Sequence, residues 1–526
     1  MQRKSIFCAF LFLSVFYSPG IRSQRPGASL STDRPERVEI LAKSTDETYH
    51  VIPINSTGVL LYFKSVETVD DSLTKWYVSL YDKDLHPLWV KGIPIRTGLE
   101  IRDFSLEKDT LTFLFLLSEK TKGISGSEMM IRLECKSGKI TESRYTLTGT
   151  IVPLKFMTFQ DRAFLGYNLK NEPAHIQIID LESEKVADCP LTSHGTMSTL
   201  TGFIIDTLNS TIYATIQKTI SKKNIISDLL KINYSGQIVS ETEISTNSPL
   251  WEIRNPQMIL VNPDDLLVIA TYTGSGKSVN NELPKGSSSS GFFTCRIKNG
   301  IQTDVRFKNF LELKNFQSIV GEKNMDAIRK KALKKNRSVD NYATELNLVV
   351  HPLILHNNQV IFLGESYIPE YHSENFTEFD FYGRPYINTY NVFDGYRYTS
   401  AVIAGFDKFG NLKWDNSMEI RNLISTELNP KVTVFCSSSD TMVLCYSSEA
   451  RIASKIIWEN EVVEKLDFSA IDQLYPEDKM ITDSKNYMIP WYGPFFLCYG
   501  FQEIKNINSL ENKKRLVYYF TKVRFD

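Results

Sequence analysis

The chain predicts an all-β fold, a β-propeller, on three observations. First, one phrase recurs along most of its length: an apolar run, a tight polar turn, then a second apolar run, at intervals of roughly 50 residues. Second, the runs are short and rich in Val, Ile, Tyr and Phe, and Gly, Asn, Asp and Ser bound them, which is the signature of strands joined by hairpin turns. Third, two copies of the phrase carry the same internal spacing. Asp82 precedes Trp89 across one turn, and Asp407 precedes Trp414 across another. A long period built only of short strands means repeated sheet units, most economically the blades of a propeller.

Each unit reads as four strands, a to d. Strand b is clearest, with eight copies at residues 58–65, 110–117, 162–169, 211–219, 265–273, 359–367, 441–448 and 495–503. Each has a c-strand partner, the first at residues 76–81 and the last at 515–520. Gly138, Gly236, Gly300 and Gly410 sit in c–d turns, where the backbone needs positive φ. Seven units have an evident d strand and the eighth does not. An orphan strand at residues 37–43 precedes the first unit and can supply it. The expectation is therefore an eight-bladed ring closed by its N-terminal strand, with seven blades as the alternative.

The connections are unequal. Two large insertions fall at the sixth unit. Residues 307–346 read as a helical insertion, because Phe310, Leu311, Ile319, Val320, Met325, Ile328 and Ala332 recur at helix-like spacing. Its second half is basic, with Arg329, Lys330, Lys331, Lys334 and Lys335 as a candidate patch for an acidic partner or lipid headgroups; the plainer reading is a solvated helix face. Residues 368–399 read as an aromatic-rich loop. Tyr371, Phe376, Phe379, Phe381, Tyr386, Tyr390, Phe393 and Tyr396 are its candidate partner-binding residues, with Glu370, Glu374, Glu378, Asp380 and Asp394 among them. Aromatic side chains give large contact area at low entropy cost, and they also stack on sugar rings. The competing reading is a satellite core that packs the loop on the helical insert.

The totals exclude some classes. A formal net charge of −1 over 526 residues argues against a general nucleic-acid binder. Residues 1–23 read as a signal peptide: Arg3 and Lys4, an apolar run from Ile6 to Tyr17 too short to span a bilayer, then Pro19 and Gly20. Residues 24–36 read as a linker, and the propeller occupies 37–526. No later stretch is apolar enough to cross a membrane as a helix. The expected location is outside the cytoplasm, in the periplasm or at the outer membrane or cell surface, and the Lys/Ile/Asn/Tyr-rich composition looks like envelope proteins of Bacteroidetes-type bacteria. Cys135, Cys189, Cys295, Cys436, Cys445 and Cys498 read as small buried hydrophobes rather than disulfides, although Cys436 and Cys445 flank a hairpin turn.

Catalytic signatures are absent. Gly274-Ser275-Gly276-Lys277-Ser278 lacks the first Gly of a phosphate loop, and a Ser/Gly/Asn-rich stretch follows in place of a helix. No histidine pair has metal-like spacing; His351 and His356 fall on opposite faces of a strand. No catalytic, metal or cofactor residues are assigned, and no cofactor is expected. The Asp-turn-Trp phrases at Asp82–Trp89 and Asp407–Trp414 resemble the repeat of quinoprotein-type propellers. A weaker third copy has Asp180, with Ala187 in the Trp position. Eight-bladed members of that group include quinone-dependent alcohol dehydrogenases and the BamB-type scaffold of outer-membrane assembly. The resemblance implies fold more than function. The resulting expectation is a non-catalytic envelope scaffold that binds a protein partner. The alternative is a carbohydrate-binding or carbohydrate-active propeller using the same aromatic residues.

Overall fold

The structure is a computed structural model. It describes residues 37–525 except 71, 118–126, 147–150, 193–196, 222–223, 249–250, 275–287, 316–329, 331–345 and 507–513. The leader and linker readings at residues 1–36 therefore lie outside the described residues.

The fold is an all-β propeller. The described strands form eight antiparallel sheets, spanning residues 49–96, 99–146, 151–190, 198–243, 251–309, 346–419, 433–470 and 478–524. Six are each built from one run of chain, and the sheet at 346–419 adds a two-residue strand, Ser288–Ser289, from inside the unit before it, between that unit's second and third strands. The sheet at 478–524 is completed by Arg37–Leu41, which pairs antiparallel with Lys514–Arg524 in the register Val38↔Phe520, Ile40↔Tyr518. The orphan N-terminal strand thus lies where the strand count puts it.

A sheet with two apolar faces must bury both, so each sheet packs against the one before and the one after. Eight hydrophobic cores result, one between each pair of consecutive sheets. Trp76, Phe113 and Phe115 join the first two sheets. The circuit closes where Val51, Val59 and Leu61 of the first sheet meet Leu497, Phe501, Tyr518 and Phe520 of the last. The closing strand serves both of its neighbours, because strand side chains alternate faces. Val38 and Ile40 join that last core. Arg37 and Glu39 point the other way, where Glu39 accepts from Arg515 at 3.0 Å and the Arg37 guanidinium lies 4.2 Å from the Tyr519 ring centre.

Polar clamps between neighbouring inner strands accompany the cores. Asp103 Oδ2, Ser105 Oγ and Glu107 Oε1 accept from the backbone N–H groups of Phe156, Thr158 and Gln160 at 2.8–2.9 Å, each 53 residues further on. Between the second and third sheets the sequence period is thus a physical one, a ladder of side chains that reach one unit ahead. The Asp-turn phrase has a structural reason too. Asp407 Oδ1 accepts from the N–H groups of Phe409 and Asn411, both at 2.9 Å, and Gly410 takes φ +79°. Asp82 does the same for Asp84 and His86, with Leu85 at φ +62°. Trp414 is then buried flat against Gly405, where an added Cβ would lie 2.2 Å from the indole.

Two expectations at the sixth unit need correction. The expected helical insertion at 307–346 does not begin as a helix: residues 307–309 end the strand Ile301–Asn309, and Phe310–Glu312 is a single 3-10 turn capped by Asn309, while residues 316–329 and 331–345 lie outside the described residues. The helical elements described in full are two 3-10 turns of three residues, and Lys330, described alone within 316–345, has α-helical backbone. Of the basic patch, Arg329, Lys331, Lys334 and Lys335 lie outside the described residues, and Lys330 is exposed. The segment 368–399 is not a loop. It extends two long strands, Gln359–Phe379 and Pro385–Asp407, into a twisted ribbon. All six cysteines from Cys135 onward are free thiols, five of them buried. Cys436 opposes Met442 and Cys445 opposes Thr433, so the two are not partners.

Candidate functional site

The ribbon is where this molecule departs from its own repeat. Strands of ordinary blade length carry residues 359–367 and 400–407 within the sixth sheet. Beyond that sheet the same two strands continue as a pair, in register Tyr371↔Phe393, Ser373↔Asn391, Thr377↔Ile387 and Phe379↔Pro385. The tip is the Asp-turn used elsewhere in the ring. Asp380 Oδ1 accepts from Tyr382 N at 2.9 Å and Arg384 N at 2.8 Å, and Gly383 takes φ +76°. The β-branched and aromatic residues along both arms suit a pleated surface.

The ribbon has two faces. One carries Tyr371 and Phe393 at its base, Ser373, Asn375, Thr389 and Asn391 midway, and Ile387 and Phe379 near the tip. The other carries His372, Glu374, Phe376, Glu378, Tyr386, Asn388, Tyr390 and Val392. Phe381 at the tip is 98% exposed and Tyr382 is 80% exposed. Of the eight aromatic residues singled out from sequence, seven are exposed along this ribbon. The eighth, Tyr396, is partly buried against the core between the sixth and seventh sheets. The aromatic residues therefore do not form a satellite core, though neighbours touch: Tyr371 with Phe393, and Phe376 with Tyr390. Sequence reasoning left Tyr382 and Ile387 out of the site, and both are exposed at its end.

The ribbon satisfies its own charges. Glu378 accepts from the hydroxyls of Tyr390 and Tyr386 and from the Asn388 amide. Those donors, Tyr390 first, hold its carboxyl below the ordinary value, and both phenols are pushed up in return. His372 sits between Glu374, 2.9 Å from Nε2, and Asp394, 2.5 Å from Nδ1. The two carboxylates, Glu374 first, raise its pKa. Glu370 lies 3.6 Å from Arg397, and Asp380 is committed to the turn. No carboxylate on the ribbon is both unpaired and placed as a general acid or base.

A second cluster lies beside the ribbon's base, where Ile424–Ser425 pairs with Tyr396 and Arg397. Tyr398 donates to the Asn429 carbonyl at 2.7 Å. Buried Glu365 accepts from the N–H groups of Lys431 and Val432 and pairs with His351 at 2.6 Å. The Lys431 side chain is 8% exposed, and its ammonium lies 4.3 Å from the Tyr487 ring centre. Burial pushes the Lys431 amine down to about 8. The cluster joins the sixth, seventh and eighth sheets, which explains Glu365 structurally. Among the described residues no group of His, Cys, Asp and Glu could hold a metal ion.

No protein-family model matches the chain, and no curated protein matches it. Solved structures resemble it only loosely. The polysaccharide lyase Uly1 is 10% identical, covering 80% of this chain and 89% of its own, with a TM-score of 0.38. The β-propeller domain of the Trilobed protease from Pyrococcus furiosus is 8% identical over 80% of this chain and 98% of its own, at 0.35. The dihydro-heme d1 dehydrogenase NirN is 9% identical over 83% and 79%, at 0.36. At these values the likeness carries no argument about activity.

Proposed function

We propose that this chain is an exported, non-catalytic propeller of eight blades that acts as a protein-interaction scaffold in the bacterial cell envelope, within an outer-membrane-associated complex. The observation behind this reading is the ribbon. A two-stranded ribbon is marginal in water by itself, and exposed aromatic residues of this density mark contact surfaces. Its polar groups are satisfied internally, so covering it strips water from few unpaired charges. Export rests on the leader-like pattern of residues 1–23. The second reading, a carbohydrate-binding propeller, draws on the same exposed rings as stacking platforms.

The test is affinity capture from envelope membranes, with wild type and with residues 369–396 replaced by Asn-Gly. The scaffold reading expects a stoichiometric envelope protein with wild type and its loss with the shortened chain. Equal capture by both overturns the role of the ribbon. Glycan-array binding that Tyr386→Ala and Tyr390→Ala abolish, with no protein captured, replaces the scaffold by the sugar reading.

A further inference from the structure

The two arms of the ribbon differ in charge. The first arm carries Glu370, Glu374 and Glu378, with Asp380 at its end. The second arm, from Pro385 to Phe393, carries no charged residue. Among the described residues, residues 385–395 pair only with the first arm, so the outer edge of the second arm has no strand beside it. Proteins that stay monomeric guard such an edge with charge, Pro, a bulge or a covering element, and here Pro385 and the bulge at Asp394 mark only the two ends of the arm. Here the sequence Pro-Tyr-Ile-Asn-Thr-Tyr-Asn-Val-Phe combines high strand propensity with no charge at all.

We infer that the uncharged arm pairs edge to edge with the same arm of a second copy of this chain, giving a two-fold dimer with a four-stranded sheet. Charge selects this arrangement over the others. Antiparallel pairing of the two uncharged arms, centred on Thr389, sets no like charges opposite each other. It sets Tyr386, Asn388, Tyr390 and Val392 of both copies on one face, and Ile387, Thr389 and Asn391 on the other. The acidic arms become the outer strands, about 14 Å apart at three strand spacings, beyond the screening length at physiological salt. They then guard the new edges of the sheet. Pairing through the acidic arms, centred on Glu374, would set Glu374 against its own copy and Glu370 against Glu378. Pairing an acidic arm with an uncharged one is head-to-tail and generates an open fibre. The dimer uses the edge and leaves both faces and the tip exposed, so it stands apart from the scaffold reading, whose partner would use those surfaces.

The test is sedimentation velocity of the mature full-length chain from about 1 to 100 μM. The expected result is a concentration-dependent dimer that Thr389→Lys abolishes, because the substitution sets two ammonium groups against each other at the symmetry axis. Thr377→Lys adds the same charge to the same face on the acidic arm and is expected to leave the dimer intact. Circular dichroism and melting temperature confirm that both variants are folded. A wild-type monomer at 100 μM overturns the inference, as does a dimer that survives Thr389→Lys or an assembly that grows beyond two copies. None of these outcomes bears on capture of an envelope partner.

Discussion

Shortening the closing strand's core side chains, in the variant Val38→Ala with Ile40→Ala, is expected to weaken the whole ring. Both side chains are half-buried and face the core that joins the last sheet to the first, opposite Phe520 and Tyr518, which are at most 2% exposed. A fully buried Val or Ile truncation costs about 2–4 kcal/mol; at half burial the pair should cost about 3 kcal/mol together. The polar side of the strand remains, since Arg37 still donates to Gln502 at 2.8 Å and Glu39 still accepts from Arg515. The assay is urea unfolding followed by tryptophan fluorescence, alongside the melting temperature. The control is Val186→Ala, a truncation on the exposed outer strand Val186–Pro190 of the third sheet, expected to cost under about 1 kcal/mol. If the double variant is no weaker than the control, the N-terminal strand does not close the ring.

Three further outcomes follow from particular contacts. Gly405→Ala is expected to cost about 2–3 kcal/mol by driving a methyl group into buried Trp414. Adding Trp414→Leu should recover part of that loss in a double-mutant cycle by chemical denaturation, and simple additivity would contradict the packing. Lys431 has a folded pKa near 8, below its unfolded value of 10.5, so the native state binds fewer protons and burial of the ammonium opposes folding. That penalty is complete below pH 8 and fades as pH rises from 8 towards 10.5. Lys431→Met should therefore stabilise by up to about 3 kcal/mol at pH 7 and by little at pH 10.5, and a pH-independent difference refutes the assignment. His372 should titrate above the usual imidazole value by NMR, and Asp394→Asn should lower its midpoint; an unmoved midpoint would mean that the bridge is absent in solution.

Much of this architecture is legible in the residues. The recurrence of strand b exposes the repeat, and the missing final strand points to residues 37–43. That reading succeeds because the b strands are buried on both faces and read as apolar runs such as Phe113–Leu116. The ribbon is harder to read for the opposite reason. Neither of its faces meets a core, so no apolar–polar alternation marks the strands, and dense aromatic residues between charges look like a loop. One signal was available. Asp380-Phe381-Tyr382-Gly383 repeats the Asp-x-x-Gly turn of Asp407-Lys408-Phe409-Gly410, and that turn joins adjacent strands. Lys431 carries no local sign of burial, since it precedes a strand in a polar stretch. Only the meeting of three sheets encloses it. At the start of the stretch read as a helical insertion, pairing and burial decide instead, because Phe307 lies in a ladder opposite Phe293 and Phe310 fills the core beside Phe292.

The central claim is that residues 369–396 form an ordered ribbon in one register, standing off the sixth sheet. Oxidative cross-linking of paired cysteines within one chain tests it most directly. Ser373 and Asn391 oppose each other and share a face, at a separation a disulfide can bridge. Ser373→Cys with Asn391→Cys should close an intramolecular disulfide nearly completely, whereas Ser373→Cys with Asn388→Cys, three positions out of register, should not. Equal cross-linking of the two pairs, or none in either, would mean that the segment is not the ribbon described.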